Sequence, residues 1–337
     1  MIPIEQTATE IARYAPSSGF LKILQELEIG KEGWQNELVL FMKPELQMVS
    51  DPAYIGESAR LILQKLAEYQ AEVHGIAIVG GQFLANNGIM DRHYGYINHL
   101  SKQASKILSA EDLAKIAAGL GLPSIVGIPL YGGHEYLNSH PEETIAHLNA
   151  FWFSKKAIKI RSGFYIQQYE KNGAPFILVN GFHPSQLVHF TAPDHRIVLF
   201  LVHSNTPWQA LRNDMVGNTF PEKAAPSSIR GTFFADPAGY GLTKVDISQN
   251  GAHLSAGPFE GVFEVLNFFG SLYERADQKP LPLLIRRLMA RGLSAEAALK
   301  VRANPAVTLG EKTTDLFSAT EDMETDAAID FWLQHAH

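Results

Sequence analysis

The run His195-Arg196-Ile197-Val198-Leu199-Phe200-Leu201-Val202 is the most apolar strand-length segment of the chain. It is far shorter than the roughly 20 residues that cross a bilayer, so it reads as a buried strand. A buried strand needs a sheet around it and layers that cover that sheet. The run Glu37-Leu38-Val39-Leu40-Phe41-Met42-Lys43 reads the same way and ends in Lys-Pro. Between the two, residues 56–70 form an amphipathic pattern with Leu61, Leu63 and Leu66 inward. Residues 71–84 read as a further strand, with a bulge expected at Gly80-Gly81.

The rest of the chain sorts around that frame. Residues 1–36 read as a helical arm. Helices are expected over 89–107, 111–121 and 143–158, the second stopped by glycine. Residues 164–182 read as a β-hairpin whose turn, Lys171-Asn172-Gly173, carries the asparagine-glycine signal. A short helix is expected to start at Pro207, a favoured first helical position. A strand bearing His253 falls within 243–255, and a helix over 258–270 is opened by proline and closed by glycine. Residues 276–337 read as a C-terminal helical tail, basic at first and then acidic. With about 100–190 set aside as a large insertion, the order is that of a βαββαβ core.

Composition narrows the function. Of 337 residues, 46% are hydrophobic and 19% charged, a balance that suits a globular protein. The formal net charge of −7 argues against nonspecific nucleic-acid or anionic-membrane binding. The absence of cysteine removes disulfides, thiolate metal sites and thiol nucleophiles. The histidines do not fall in a defined ligand spacing, so no metal site is expected from them. No basic-then-apolar leader opens the chain, and a cytoplasmic protein is expected.

The chemistry concentrates in a few segments. Asn250-Gly251-Ala252-His253-Leu254-Ser255 is followed by Glu264, and upstream lie Gly217-Asn218-Thr219-Phe220-Pro221, Ser228-Ile229-Arg230-Gly231 and the Lys43-Pro44-Glu45 strand end. Arg230 offers a planar fork and Lys43 a point charge for phosphate oxygens. Thr219 and Asn250 add neutral donors. A neutral imidazole at His253 can attack phosphorus when a carboxylate such as Glu264 orients its other nitrogen.

In these motifs the chain resembles the nucleoside-diphosphate kinases, over about 37–100 and 193–270. Lys43 matches the family's Lys-Pro-Asp lysine, with Glu45 in place of the aspartate. Tyr94 in Arg92-His93-Tyr94 matches its tyrosine after a histidine. Thr219 matches Gly-x-Thr-x-Pro, and Arg230 matches Thr-Ile-Arg-Gly. Asn250, His253 and Ser255 match Asn-x-x-His-x-Ser, and Glu264 falls at the histidine-orienting glutamate. The Thr219–Arg230 (230 − 219) and His253–Glu264 (264 − 253) separations are both 11, as in the family. Arg212 lies one residue out of step with a second family arginine.

The resemblance implies an α+β fold with a ferredoxin-like βαββαβ core. It implies γ-phosphate transfer from a nucleoside triphosphate to a nucleoside diphosphate through a phosphohistidine at His253. His253, Glu264 and Ser255 would be catalytic; Lys43, Tyr94, Arg212, Thr219, Arg230 and Asn250 would bind the nucleotide. Mg²⁺ would ride on the nucleotide phosphates, with no metal ligand from the protein, and a homodimer would be the assembly. The chain departs from the family at Leu254 and Ala256, where glycine and aspartate are usual, and no base-stacking phenylalanine follows Tyr94. Two other readings stand beside this one. The first is a nucleotide-binding or regulatory module on the same fold, obstructed by Leu254 and the insertions. The second is a phosphohistidine enzyme with a different acceptor. The insertion is expected to pack over the base end of the cleft rather than form a separate globule.

Overall fold

The computed structural model describes residues 3–14, 21–272, 280–310 and 312–335. It is an α+β protein that divides into two compact units, residues 1–89 with 192–337, and residues 90–191. No helix among the described residues is long and apolar enough to cross a membrane.

The first unit is built on a five-stranded sheet. Its strands are β1 (Leu21–Gln25), β2 (Asn36–Met42), β3 (Ala71–Gly80), β4 (Arg196–Ser204) and β5 (Ala252–Leu254), in the spatial order β1-β3-β4-β2-β5. Every neighbouring pair is antiparallel. The apolar run of 195–202 becomes β4 at the centre, buried along its whole length. Such continuous burial is why its sequence shows no polar alternation.

Alternation sorts the two faces of this sheet. Leu38, Leu40 and Met42 of β2, Ile76 and Ile78 of β3, Val198, Phe200 and Val202 of β4, and Leu254 of β5 join one apolar core. The helix Pro52–Glu68 contributes Ile55, Ala59, Ile62, Leu63 and Leu66 to that core. It begins earlier than its apolar pattern suggests. Asp51 caps it by accepting the Ala53 N–H at 2.9 Å, and Pro52 opens its first turn. Such a cap contributes about 1 kcal/mol. On the opposite face the helix Pro258–Glu264 packs against β2.

Gly80 pairs with Arg196, and the Gly81 N–H donates to the His195 carbonyl at 2.6 Å. The excursion between β3 and β4 thus leaves and returns at adjacent points. A long insertion there costs little, because closure entropy grows slowly with length. The expected bulge at Gly80-Gly81 is instead the junction between β3 and the helix Gly81–Asn86.

The unit of residues 90–191 has its own four-stranded sheet, formed by Leu130–Gly132, Ala174–Val179, Phe164–Lys171 and Ile158–Arg161 in spatial order. The hairpin forms as expected, with Asn172 and Gly173 both at positive φ, 53° and 78°. Two apolar clusters lie within this unit, one around Leu100, Ile116, Phe164 and Ile177, the other around Tyr136, Leu148, Trp152 and Phe176. The segment therefore supplies its own core, contrary to the expectation that its apolar residues needed another surface. The compact unit runs from 90 to 191, and the insertion expected at about 100–190 falls within it.

Two further expectations are corrected. The N-terminal arm is not all helical. A helix, Ile4–Tyr14, precedes β1, which takes the sheet edge beside β3. The C-terminal tail is not all helical either, since Ala306–Leu309 and Lys312–Asp315 pair as a hairpin. Around it the helices Leu283–Ala290, Leu316–Thr320 and Thr325–His335 share an apolar core with Phe259 and Val262. The boundary expected at about 276 lies outside the described residues.

Candidate active site

Strand β5 is three residues long, and the middle one is His253. It pairs with Phe41 of β2, and the two rings stack with centroids 4.5 Å apart and planes 17° from parallel. Leu254, next along the strand, points to the other face and is buried in the core there. The bulky residue after the histidine therefore does not crowd the imidazole.

A turn at Gly257 leads into the helix Pro258–Glu264, and its last residue returns beside the strand. Glu264 is fully buried, and its Oε1 lies 2.6 Å from Nε2 of His253. Its Oε2 accepts the Ser255 hydroxyl at 2.5 Å. The Ser255 hydroxyl in turn accepts the Val39 N–H at 3.0 Å, which ties it to β2. Nε2–H donated to Glu264 leaves the lone pair on Nδ1. The pairing thus fixes the tautomer and the ring plane together.

The surroundings of His253 are cationic. Burial pushes the imidazole well below its ordinary pKa, and Lys43, Arg230 and Arg212 push it the same way. The ring is thus neutral near pH 7. Lys43, at the end of β2, is held down to about 8, first by burial, with Arg230 adding to the effect and Glu45 opposing it. Among the described residues no hydrogen bond or ion pair is made by its Nζ. Arg230 is brought down to about 10 by burial and by Arg212. Its guanidinium donates to the carbonyls of Ala252, at 3.0 Å, and Gly217, at 2.7 Å. Arg230 sits in the first turn of the helix Ile229–Ala235, capped by the Ser228 hydroxyl on the Gly231 N–H.

The two motif segments are tied by backbone contacts. Glu45 accepts the Gly251 N–H at 2.8 Å, and the Lys43 N–H donates to the Gly251 carbonyl at 2.9 Å. Gly251 needs its left-handed backbone, φ 81°, and a Cβ there would come within 2.5 Å of the Phe233 ring. Asn250 donates through Nδ2 to the Thr219 carbonyl at 3.1 Å, while its Oδ1 is buried without a hydrogen-bond partner. Thr219 itself is exposed.

Arg212 lies on the π-helical stretch Ala210–Val216 that packs on β5. Its guanidinium is paired with Asp322, and with Glu321 at 2.7 Å. The first unit thus brings together Lys43, Arg212, Arg230, Asn250, His253, Ser255 and Glu264. Tyr94 belongs to the 90–191 unit, where its ring stands edge-on to His183 at 5.7 Å and tilted to Phe190 at 5.9 Å.

Two residues of the site were not expected from the sequence. Phe41 is the stacking platform, and strand register alone would have found it opposite His253 once the β2–β5 pairing was known. Glu260, one helical turn before Glu264, accepts the Ala256 N–H at 2.5 Å. Burial and the neighbouring Glu264 push its carboxyl up to about 8.

A second histidine–carboxylate pair in this unit contrasts with the first. His203 meets Glu37 at 3.0 Å, but Glu37 also accepts the backbone N–H groups of Gly30, at 2.5 Å, and Leu283, at 2.7 Å. That carboxylate fastens three chain segments, which suits a structural part. In comparisons with known proteins, no family model, no curated protein and no solved structure matches this chain.

Proposed function

We propose that this protein is a phosphotransferase that passes the γ-phosphoryl group of a nucleoside triphosphate to a nucleoside diphosphate through a phosphohistidine at His253. The observation that carries this reading is the 2.6 Å contact between a fully buried Glu264 and the imidazole, within a ring of cations. The strand order β3-β4-β2-β5, all antiparallel, supports a ferredoxin-like βαββαβ core of nucleoside-diphosphate-kinase type, extended by β1 at one edge.

In the first half-reaction Nδ1 of His253 attacks the γ-phosphorus in line. The new P–N bond forms as the P–O bond to the β-phosphate breaks, and the diphosphate leaves with that electron pair. The positive charge that develops on the ring is met by Glu264, which keeps the Nε2 proton. In the second half-reaction a terminal oxygen of the acceptor diphosphate attacks phosphorus, and the P–N bond breaks to restore the neutral ring. Transfer of this kind depends mostly on positioning and charge neutralisation. Lys43, Arg230 and Arg212 supply the charge, and Ser255 holds Glu264 from its other oxygen. Asn250 Oδ1, buried without a partner, is an acceptor for a hydroxyl of the ligand. Thr219, exposed on its loop, and Tyr94 are carried into the binding set by the resemblance alone.

Mg²⁺ enters with the nucleotide as part of the substrate. Both oxygens of Glu264 are engaged by His253 and Ser255, and the other charged groups at the site are mainly cations. A homodimer belongs to the same proposal. With Leu254 buried on the far face, the reading of an obstructed binding module rests on the insertions alone.

Incubation with γ-labelled ATP tests the proposal. Acid-labile, base-stable label on the protein, chased by added nucleoside diphosphate, is the expected result. Label that stays on the protein would redirect the account to another acceptor. No label at any protein concentration would reject it.

A further inference from the structure

Of the three cations that act on His253, only Arg212 is neutralised by carboxylates among the described residues, and both come from the C-terminal segment. Glu321 Oε1 lies 2.7 Å from its Nη2, and Asp322 pairs with its Nη1. Arg230, by contrast, donates to carbonyl oxygens.

The segment that delivers these carboxylates is firmly seated on both sides. The Asp322 N–H donates to the Ala256 carbonyl at 3.1 Å, one residue past Ser255. Asp322 adopts a left-handed backbone, φ 60°, that turns the chain back toward Arg212. The chain lies so near Gly257 that a Cβ there would meet the Thr320 carbonyl oxygen at 2.9 Å. Downstream, the Thr325 hydroxyl donates to Asn36 Oδ1 at 2.6 Å and accepts the indole N–H of fully buried Trp208 at 3.1 Å. Arg291 pairs with Asp330 at 2.7 Å along the final helix. The turn bearing Glu321 and Asp322 is therefore presented to the site on fixed supports.

The contact with Arg212 is open to water on its carboxylate side. The side chains of Glu321 and Asp322 remain 51% and 37% exposed. Carboxylates with that much access to water are readily solvated again when the guanidinium changes partner. A polyphosphate carries more charge and accepts bidentate donation from a guanidinium. The anchors hold the turn in place, while its carboxylates can be exchanged for a stronger anion.

We propose that Glu321 and Asp322 form a built-in competitor for the phosphate ligand, holding Arg212 until a polyphosphate displaces them. This inference rests on the phosphotransferase reading of the same site. It makes the C-terminal turn a brake on ligand affinity. Glu260 stands on the same flank, within the field of Arg212 and Glu321 as well as of Glu264. Release of Arg212 from the turn would place one more cation beside the His253–Glu264 pair.

The test measures binding of inorganic tripolyphosphate by calorimetry to the full chain and to the double variant Glu321→Gln with Asp322→Asn. Asparagine tolerates the left-handed backbone at 322, so the turn keeps its shape. The single variant Glu321→Gln, at a half-exposed position, gives a second reading free of any backbone question. Roughly three- to tenfold tighter binding is expected in the double variant, with part of that gain in the single one. Arg212→Ala is expected to cost more affinity in the double variant than in the parent chain, since only there is the guanidinium free for the ligand. Equal or weaker binding by the double variant, in a protein that does bind tripolyphosphate, would overturn the brake and leave the phosphotransferase reading standing. Failure of every form to bind would remove both.

Discussion

The His253 imidazole and the Phe41 ring lie face to face, 4.5 Å apart and 17° from parallel. The β2–β5 register puts them opposite each other, and Phe268 closes on Phe41 from the side at 5.5 Å. The imidazole is therefore held in its plane by an aromatic surface and along its edge by a carboxylate. Replacing Phe41 by leucine keeps an apolar residue but removes the flat support. Phosphoenzyme formation is expected to slow roughly ten- to a hundredfold, with tripolyphosphate affinity little changed, because orientation rather than binding is lost. An unchanged single-turnover rate would show that the stacking does not position the ring.

Glu264→Gln preserves shape and the contact to Ser255 while deleting the negative charge. Phosphoryl transfer is expected to fall about 10²–10⁴-fold. Rapid-quench measurement of label on His253 reports this directly. A variant that still transfers at the parent rate would mean that the carboxylate serves structure alone.

The lysine at the end of β2 sets a pH dependence. Its pKa is lowered from 10.5 to about 8, so Lys43 is charged below that point and neutral above it. Affinity for tripolyphosphate is expected to decline above pH 8, by about tenfold per pH unit at the steepest. Lys43→Met is expected to bind weakly and to lose that decline. Stability runs the other way. Between about 8 and 10.5 the unfolded chain holds the proton that the folded one has released, so Lys43 makes the fold more stable as pH rises through that window. Calorimetric titration across pH 7–10 checks the binding half, and melting curves check the other.

Glu260 gives a stability signature with a defined sign. Its folded pKa is raised from 4.5 to about 8, so the folded state keeps a proton that the unfolded state loses between those values. Stability from this group is present in full below 4.5 and declines as pH rises toward 8. Glu260→Gln is expected to flatten that part of the curve and to raise the melting temperature by a few degrees at pH 8. A parent-like slope in the variant would assign the dependence elsewhere.

The parts of the site that the sequence made legible are those fixed by short-range pattern. A strand, a turn and a proline-opened helix bring His253 and Glu264 side by side, and the spacing of the residues carries that information. The hairpin at Asn172-Gly173 and the central strand 196–204 follow from local turn chemistry and continuous apolarity. Leu254 reads as an obstruction, although strand alternation alone sends it to the face opposite His253. What the sequence did not reveal depends on long-range contacts. Nothing local marks Glu321 and Asp322 as partners of Arg212, more than a hundred residues earlier. β1 is a short run whose strand character comes from its pairing with β3, so its apolar residues passed for a helical face. The segment 306–315 runs into the stretch read as an acidic tail, yet it pairs with itself through a turn at Gly310, φ 62°.

Arg230→Ala and Lys43→Ala are expected to weaken nucleotide binding and to slow transfer more, since the charge on the moving group is met most strongly in the transition state. Variants altered in affinity alone, with normal single-turnover transfer, would remove those two residues from the proposed role.

The central claim is the phosphohistidine. The most direct measurement is mass spectrometry of the protein after brief exposure to Mg·ATP, with the peptide carrying His253 mapped under basic conditions that preserve the P–N bond. The account predicts one phosphate on His253, absent from His253→Ala and discharged within the mixing time by a nucleoside diphosphate. A protein that binds the nucleotide yet never carries phosphate on that ring would contradict it.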